Sequence, residues 1–280
     1  MSLRNFCKKI YFTLYKRGLH GLTAPLRVLP DFIVIGVGRG GTTSLYHYLS
    51  QHPCIARAAY DELGFFDTNY ELGINWYRSL FPTKLYARYV RWRRKHFMTF
   101  DVTPSYIRRP WVIERIIKVV PNVKLIVVLR NPVDRTYSHY NMGVNEGQER
   151  ATFEHAIQTD MEQLGKNTLQ GNDYFRVSAE KSYLARGFYA EQLKIWLQIF
   201  SRQRILIVSS EELATNTQQT LNQIFEFLGL PKSQIMDLRK QRIGRYTPMT
   251  PKTRSMLVKF FEPYNKQLYD LLGRKFDWDK

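Results

Sequence analysis

A glycine-rich segment early in the chain combines the residue types that bind phosphate groups. It reads Gly36-Val-Gly-Arg-Gly-Gly-Thr-Thr-Ser44 and follows the apolar run at residues 32–35. A turn of this kind between a buried strand and a helix lets backbone N–H groups converge on an anion. The helix N-terminus adds unpaired N–H groups and the positive end of its dipole. The residues expected to hold a phosphate are Arg39, Gly40, Gly41, Thr42, Thr43 and Ser44.

The glycine spacing alone leaves the identity of the phosphate compound open. Gly36, Gly38 and Gly41 match the G-x-G-x-x-G pattern of dinucleotide-binding folds, which keeps an NAD-dependent oxidoreductase as an alternative. However, residues 51–53, Gln-His-Pro, interrupt the segment where the second strand of that fold should finish. A Walker A loop would place Lys directly after Gly41, and Thr42 stands there instead. The segment is similar to a Walker loop whose cation lies inside the loop.

A second pair of phosphate-binding side chains follows the strongest strand prediction, at residues 124–129. Arg130 ends this strand, Pro132 suits the first turn of a helix, and Ser138 lies two turns into that helix. A residue at the carboxyl end of a central parallel strand faces the ligand crevice of an open α/β sheet. Arg130 and Ser138 therefore predict a second phosphate clamp. The alternative is an ion pair of Arg130 with Asp134 and a Ser138 that faces solvent.

The elements that must position these residues alternate between short buried strands and longer helices. Strands are predicted at residues 32–35, 98–101, 124–129 and 205–208, and helices at 42–50, 111–120, 183–200 and 211–228. This alternation favours a parallel sheet with helices on both faces. The polar stretch 165–181 is predicted to be a loop, and neither a repeat nor a Pro/Ser-rich linker divides the chain. We expect one domain over residues 30–280, preceded by a basic amphipathic leader at 1–29.

The composition is that of a folded and strongly basic protein. The 280 residues are 44% hydrophobic, and 42 Lys and Arg stand against 24 Asp and Glu, a net charge of +18 at pH 7. Disorder over most of the length is excluded, and no apolar run is long enough to span a bilayer. Two cysteines cannot form a disulfide framework and fit a reducing compartment. The charge attracts polyanions, which include nucleic acid, anionic lipid, phosphorylated cofactors and sulfated glycans.

Two basic segments are candidates for contact with a polyanion. In the leader, apolar and basic residues fall on different helix faces, which suits an anionic membrane surface or packing on the domain. Residues 88–95 carry five cations within eight residues, with Tyr89 and Trp92 between them. That pattern suits an anionic acceptor or single-stranded nucleic acid, so a basic nucleic-acid-binding protein is a further alternative. A solvated helix face is the simplest interpretation of residues 88–95.

The glycine turn and the Arg130–Ser138 pair together resemble the sulfotransferases that use 3′-phosphoadenosine 5′-phosphosulfate (PAPS). In that family the loop after the first strand holds the 5′-phosphosulfate, and a strand-end Arg and a helix Ser hold the 3′-phosphate. Further segments resemble the glycosaminoglycan branch of the family, in the same order along the chain. They are Pro30-Asp-Phe32, Asp61-Glu-Leu-Gly-Phe-Phe-Asp67, Gly73-Ile-Asn-Trp-Tyr77, Thr103-Pro-Ser-Tyr106, Phe188-Tyr-Ala190, Phe227-Leu-Gly-Leu230, Ile243-Gly-Arg245 and Phe276-Asp-Trp278.

The resemblance implies a P-loop-like three-layer sandwich, with a central parallel sheet flanked by helices. It implies an enzyme that moves the sulfuryl group of PAPS to a hydroxyl of an acceptor, a carbohydrate or glycolipid. Glu62 would take the hydroxyl proton, and Arg39 would stabilise the leaving phosphate. Neither a metal nor a nucleic acid is expected to take part. Further cofactor contacts are expected from Arg242, Gly244 and Arg245, and acceptor contacts from Asp67, Asp101 and Ser105, where a structural role is the alternative for the two carboxylates.

The chain departs from the family pattern at several positions. Arg39 stands where the family usually has Lys, which exchanges a mobile point charge for a bulkier planar fork. Asp61, Gly64 and Val102 replace residues common in the glycosaminoglycan branch, and Ile243 replaces a usual Lys. We therefore expect the cofactor site to transfer and the heparan-type acceptor contacts not to. The paired cysteines and the membrane anchor of the Golgi enzymes are not recognisable, which implies a cytoplasmic enzyme, with the inner membrane face as a further location.

Overall fold

The computed structural model describes residues 21–166, 182–241, 244 and 246–278. Residues 1–20, which make up most of the predicted leader, lie outside the described residues. The same holds for most of the predicted loop at 165–181 and for the predicted site residues Arg242 and Arg245.

Residues 21–29 of the predicted leader contact the rest of the chain. A short 3-10 helix spans Gly21–Leu26, and the N–H of Val28 donates to the carbonyl of Pro82 at 3.1 Å. Arg27 forms an isolated antiparallel bridge with Thr83. The described end of the leader is therefore held against the segment that follows residue 81.

The described residues form one sheet of five parallel strands. They are β1 (Phe32–Gly36), β2 (Ile55–Arg57), β3 (Met98–Val102), β4 (Lys124–Leu129) and β5 (Ile205–Ser209), in the spatial order β2-β3-β1-β4-β5. β1 pairs with β3 and β4, so that Phe32 lies opposite Phe100 and Lys124. All five residues of β1 are buried, as a continuous apolar run predicts for a strand covered on both faces. The third strand of the chain lies beside β1, unlike the 3-2-1-4-5-6 order of the dinucleotide-binding fold.

Helices cover both faces of this sheet. They are α1 (Thr42–Leu49), α2 (Gly73–Ser79), α3 (Lys84–Arg94), α4 (Trp111–Val119), α5 (Pro132–Asn145), α6 (Phe153–Lys166), α7 (Tyr189–Ile199), α8 (Ser210–Thr215), α9 (Thr217–Leu228) and α10 (Pro251–Leu272). Successive side chains of a strand point to opposite faces, so β1 contributes to two cores. Ile33 and Ile35 pack with α4 and α7, while Phe32 and Val34 pack with α1 and α9. The predicted three-layer α/β arrangement is confirmed.

Several predicted element boundaries were wrong. The sequence reasoning missed β2, because three residues at the edge of a sheet are too few to show a strand period. The helix predicted at 183–200 begins only at Tyr189, since Phe188 has φ −81° and ψ 70°, outside the helical region. The helix predicted at 211–228 is divided into α8 and α9 at Asn216, which has φ −121° and ψ 48°. Part of the predicted loop at 165–181 belongs to α6, which continues to Lys166.

Helix α10 was not predicted, although its boundary signals are present in the sequence. Thr250 caps its N-terminus by accepting from the N–H of Thr253, Pro251 occupies the first turn, and Gly273 ends the helix with φ +64°. None of the helices in the described part of the chain combines the length and the apolar character that crossing a membrane requires.

Candidate functional site

A cavity of about 790 Å³ lies at the carboxyl edge of the sheet. The segments that follow β1, β3, β4 and β5 all contribute to its lining, as expected for the ligand crevice of a parallel sheet. Ten of the residues predicted from the sequence line this cavity. They are Arg39, Gly41, Thr42, Thr43, Ser44, Glu62, Ser105, Arg130, Ser138 and Gly244.

The glycine loop makes a sharp turn between β1 and α1. A Cβ atom on Gly40 would lie 2.7 Å from the carbonyl oxygen of Val128, so only glycine fits there. The N–H of Gly40 donates to the carbonyl of Val37 at 2.9 Å. Gly40 is outside the cavity lining, and its contact with a phosphate stays a prediction.

Gly41 supplies the N-terminal cap of α1 without a side chain. It has φ +94°, a left-handed conformation that favours glycine. No side-chain hydrogen bond caps the helix at this position. The N–H groups in the first turn of α1 are therefore suited to bind an anion, together with the hydroxyl groups of Thr42 and Thr43.

The structure joins the two predicted phosphate elements directly. Nε of Arg39 donates to Oγ of Ser138 at 3.0 Å, and Nη1 of Arg130 donates to the carbonyl of Arg39 at 3.0 Å. Ser138 is 2% exposed, and Asp134 forms its ion pair with Arg254 at 2.7 Å. The alternative of an Arg130–Asp134 pair with a solvent-facing Ser138 does not match this arrangement.

Helix α5 holds Ser138 in place through its cap. Asn131 accepts a hydrogen bond from the N–H of Val133 at 3.0 Å, and Pro132 occupies the first turn. The carbonyl of Arg130 accepts from the hydroxyl of Tyr189 at 2.8 Å. This hydrogen bond connects the turn from β4 to α5, which carries the predicted phosphate clamp, with α7.

The segment that leads to residue 244 is anchored on α1. Oγ of Ser44 accepts from the N–H of Gln241 at 2.9 Å, and the hydroxyl of Tyr48 donates to the carbonyl of Leu238 at 3.0 Å. Gln51 makes two hydrogen bonds with the backbone of Asp237. These contacts bring the late part of the chain, including Gly244, to the cavity edge formed by the glycine loop.

Glu62 lies on a loop that hydroxyl groups hold against the end of β3. The N–H of Glu62 donates to the carbonyl of Val102 at 2.9 Å, and Glu62 has φ 57°. Thr103 accepts from the N–H of Gly64, and the hydroxyl of Tyr106 accepts from the N–H of Phe66, both at 3.2 Å. The exposed side chain of Glu62 is thereby positioned at the cavity.

Asp101 is the buried centre of this support. Its carboxylate is 0% exposed and accepts from Thr103 at 2.8 Å, Tyr77 at 3.0 Å and Tyr106 at 3.1 Å. Asp101 therefore connects through two hydroxyl groups to the loop that carries Glu62. It does not line the cavity, so its hydrogen bonds support the structural alternative, and its contact with an acceptor stays a prediction.

Asp67 also lies behind the cavity wall. It accepts from the hydroxyl of Ser105 at 2.5 Å and pairs with Arg109 at 2.7 Å, and its side chain is 2% exposed. Ser105 reaches the cavity, whereas Asp67 orients Ser105. These contacts support the structural alternative for Asp67, and its contact with an acceptor stays a prediction.

Replacing Asp101 by Asn should change how stability depends on pH. Burial raises the pKa of the Asp101 carboxyl from its ordinary 3.8 to about 6. Between these values the folded chain binds the proton more tightly than the unfolded chain, so the wild type loses stability as the pH rises. The expected loss from this group is roughly 3 kcal/mol over that window. Urea unfolding of both proteins at pH 4 to 7 measures it.

The matched control for this experiment is Asp270→Asn, which removes an exposed carboxylate on α10. From pH 4 to 7 the unfolding free energy of the wild type should fall relative to that of Asp101→Asn. The difference between the wild type and the control should stay constant. A pH-independent difference between the wild type and Asp101→Asn would contradict the raised pKa.

The sequence reasoning missed a cationic part of the cavity wall. Arg108, Arg135, His139 and Arg186 all line the cavity. Nη1 of Arg186 lies 2.9 Å from Nε2 of His139. Burial, Arg135 and Arg186 lower the pKa of His139 to about 2, so the imidazole is neutral and can accept from Arg186. Burial and the neighbouring Arg108 lower the pKa of Arg186 to about 9, and Arg186 is still charged at neutral pH.

Of the residues in this cationic part of the wall, Arg135 could have been predicted from the sequence, whereas the pairing of Arg186 with His139 could not. Arg135 precedes Ser138 by three residues and therefore shares its face of α5. Arg186 and His139 are 47 residues apart in the chain, and no spacing rule connects them.

Comparison with known proteins agrees with the resemblance drawn from the motifs. Residues 29–256 match a family model described as a sulfotransferase domain. The chain is 26% identical to the membrane-associated sulfotransferase kil1 of Dictyostelium discoideum, over 90% of this chain and 67% of that protein. It is 30% identical to heparan sulfate glucosamine 3-O-sulfotransferase 6 of Homo sapiens, over 90% of this chain and 74% of that protein.

The structural comparison gives the same picture. A sulfotransferase from Alicyclobacillus acidocaldarius aligns with a TM-score of 0.68 and 26% identity, over 90% of this chain and 100% of that chain. The P-loop-like α/β fold is therefore confirmed. The chain spans about two thirds of the length of the first curated relatives that it matches.

Proposed function

Because this chain belongs to the sulfotransferase family, we propose that it transfers the sulfuryl group of PAPS to a hydroxyl group of an acceptor. The contact of Arg39 with Ser138 carries the proposal, since it joins a 5′-phosphosulfate loop and a 3′-phosphate clamp within one cavity. PAPS carries both of these groups on one adenosine. The strand order of the sheet also disfavours the NAD alternative.

The residues divide the proposed chemistry between them. Bound PAPS would supply the sulfuryl group, which leaves the bridging oxygen of the 5′-phosphate as the acceptor oxygen bonds to sulfur. Glu62 takes the proton of the acceptor hydroxyl. Arg39 and the N-terminus of α1 neutralise the charge that grows on the departing 5′-phosphate. The products are a sulfate ester and 3′,5′-ADP.

Glu62 suits the role of base better than the histidine that lines the same cavity. With a pKa of about 2, His139 is too weak a base to take a hydroxyl proton at neutral pH. It also faces Arg186 at 2.9 Å. Glu62 has an exposed carboxylate at the cavity and a backbone held by β3.

We propose that the acceptor is a carbohydrate or glycolipid that carries an anionic group near the reacting hydroxyl. The cationic wall supports this choice, because Arg108 and Arg186 line the same cavity as Glu62 and Ser105. Relatives are named for sulfation of glucosamine in heparan sulfate. Asp61, Gly64 and Val102 differ from the residues common in the glycosaminoglycan branch, which favours an anionic glycan other than heparan sulfate. A cytoplasmic location is part of the same proposal.

Calorimetric titration with 3′,5′-ADP, NAD and ATP tests the donor site. We expect micromolar binding of 3′,5′-ADP and much weaker binding of the other two. Transfer of radioactive sulfate from PAPS to a panel of neutral and anionic glycans then tests the acceptor class. Binding of NAD in place of 3′,5′-ADP would support an oxidoreductase, and failure of every glycan would overturn the acceptor proposal alone.

A further inference from the structure

Helix α3 carries an exposed apolar ridge on the side opposite to its buried face. Ala87 and Val90 are buried and pack with Phe97. Leu85, Tyr89 and Trp92 follow the i, i+4, i+7 spacing that places residues on one helix face. Their exposed fractions are 77%, 56% and 70%. A contiguous row of exposed apolar side chains is typical of an interaction surface, whereas single exposed apolar residues are common on any protein.

Cations flank this ridge on both sides. The sequence of α3, Lys-Leu-Tyr-Ala-Arg-Tyr-Val-Arg-Trp-Arg-Arg, holds five basic residues and no acidic residue. On a helical projection Arg88 lies beside one edge of the ridge and Arg93 beside the other. Both side chains are exposed, and the guanidinium of Arg93 lies 5.9 Å from the ring centre of Trp92.

A second apolar patch lies next to the start of α3. The bridge between Arg27 and Thr83, the N-terminal cap of α3, brings the 3-10 helix Gly21–Leu26 to this place. Within that helix Leu22 is 83% exposed and Leu26 is 64% exposed. We call the ridge and its flanking cations the α3 face.

We propose that the α3 face docks on the surface of an anionic lipid bilayer. Trp and Tyr side chains prefer the headgroup level of a bilayer, and leucines enter the acyl boundary just below it. Arginines on both sides of the ridge can reach lipid phosphate groups while their stems cover apolar surface. The face therefore offers aromatic rings for the headgroup level, leucine for the acyl boundary and arginines for the lipid phosphate groups.

Other occupants fit this face less well. Single-stranded nucleic acid needs a groove with ring surfaces for stacking, whereas the α3 face is the exposed side of a single helix and includes Leu85. Residues 1–20 contain five basic and no acidic residues. They therefore offer no complementary charge to α3, which is also basic, whereas an anionic surface does.

Sedimentation with lipid vesicles tests the proposal on the full chain. We expect binding to vesicles of phosphatidylcholine with about one third phosphatidylserine, weak binding to pure phosphatidylcholine, and loss of binding at high salt. Arg88→Glu combined with Arg93→Glu should weaken binding roughly tenfold or more. The matched control is Lys259→Glu with Lys266→Glu, the same charge change at exposed positions of α10. Equal loss in both double variants would overturn the proposal.

Tryptophan fluorescence gives a second and independent readout. Trp92 is 70% and Trp111 45% exposed, whereas Trp76, Trp196 and Trp278 are at most 7% exposed. Anionic vesicles should shift the emission to the blue, and Trp92→Phe should abolish the shift while vesicle binding persists. Trp111→Phe should leave the shift intact. A shift that survives Trp92→Phe, or binding of single-stranded oligonucleotide in place of vesicles, would overturn the membrane assignment.

Discussion

Replacing Glu62 by Gln should lower the rate of sulfate transfer by about 10²- to 10⁴-fold, the usual contribution of a general base. Gln keeps the size and polarity of the side chain but cannot take the hydroxyl proton. The backbone of residue 62 is held by the carbonyl of Val102, so the loop should keep its position. Transfer of radioactive sulfate at saturating PAPS measures the rate, and titration with 3′,5′-ADP measures cofactor affinity, which should change less than about twofold.

A second carboxylate of the cavity supplies the control. Glu146 also lines the cavity, and its side chain is exposed. Glu146→Gln therefore removes the same charge from the same space, and we expect it to reduce the rate less than about threefold. An equal fall in both variants would attribute the effect to cavity charge and contradict the role of Glu62 as base.

Replacing Arg130 by Ala should weaken 3′,5′-ADP binding by about 10- to 100-fold, the loss expected for a charge-assisted hydrogen bond to phosphate. Adenosine 5′-monophosphate lacks the 3′-phosphate, so its affinity should change little. Calorimetric titration of each variant with both nucleotides makes this comparison. The 3′-phosphate contact is thereby separated from the contact of Arg130 with the carbonyl of Arg39.

Two further variants sharpen the test. Arg130→Lys keeps a point charge but loses the planar fork, and we expect an intermediate affinity. Arg254→Ala removes an arginine of α10 that pairs with Asp134 of α5, and it should leave both affinities unchanged. Equal weakening of both nucleotides in Arg130→Ala would indicate collapse of the glycine loop and would contradict a 3′-phosphate clamp.

Arg39 gives this site a feature that the usual Lys would not. Its guanidinium reaches Ser138 at 3.0 Å and the sulfur of Met142 at 3.7 Å, across the cavity from its own loop. A planar fork can donate in several directions at once, whereas an ammonium acts as a compact point charge. One side chain therefore links the loop that we propose to hold the 5′-phosphate with the residues that we propose to hold the 3′-phosphate.

Local patterns in the sequence predicted four of the five strands of the described sheet, and they located the two proposed phosphate elements. The apolar runs of β1 and β4 predicted buried strands, because a strand covered on both faces needs apolar residues at every position. The glycine turn, Arg130 and Ser138 follow these strands directly. Their convergence could be predicted because the carboxyl ends of parallel strands share one edge.

Tertiary structure decided the features that depend on which elements pack together. Asp101 lies near the carboxyl end of a strand, as Arg130 does, yet it is fully buried. Hydroxyl groups of Tyr77, Thr103 and Tyr106 surround its carboxylate, and no short sequence pattern indicates that burial. Arg186 meets His139 only because the chain folds back across 47 residues. Burial and long-range contact are properties of the packed chain, whereas strand period and turn chemistry belong to neighbouring residues.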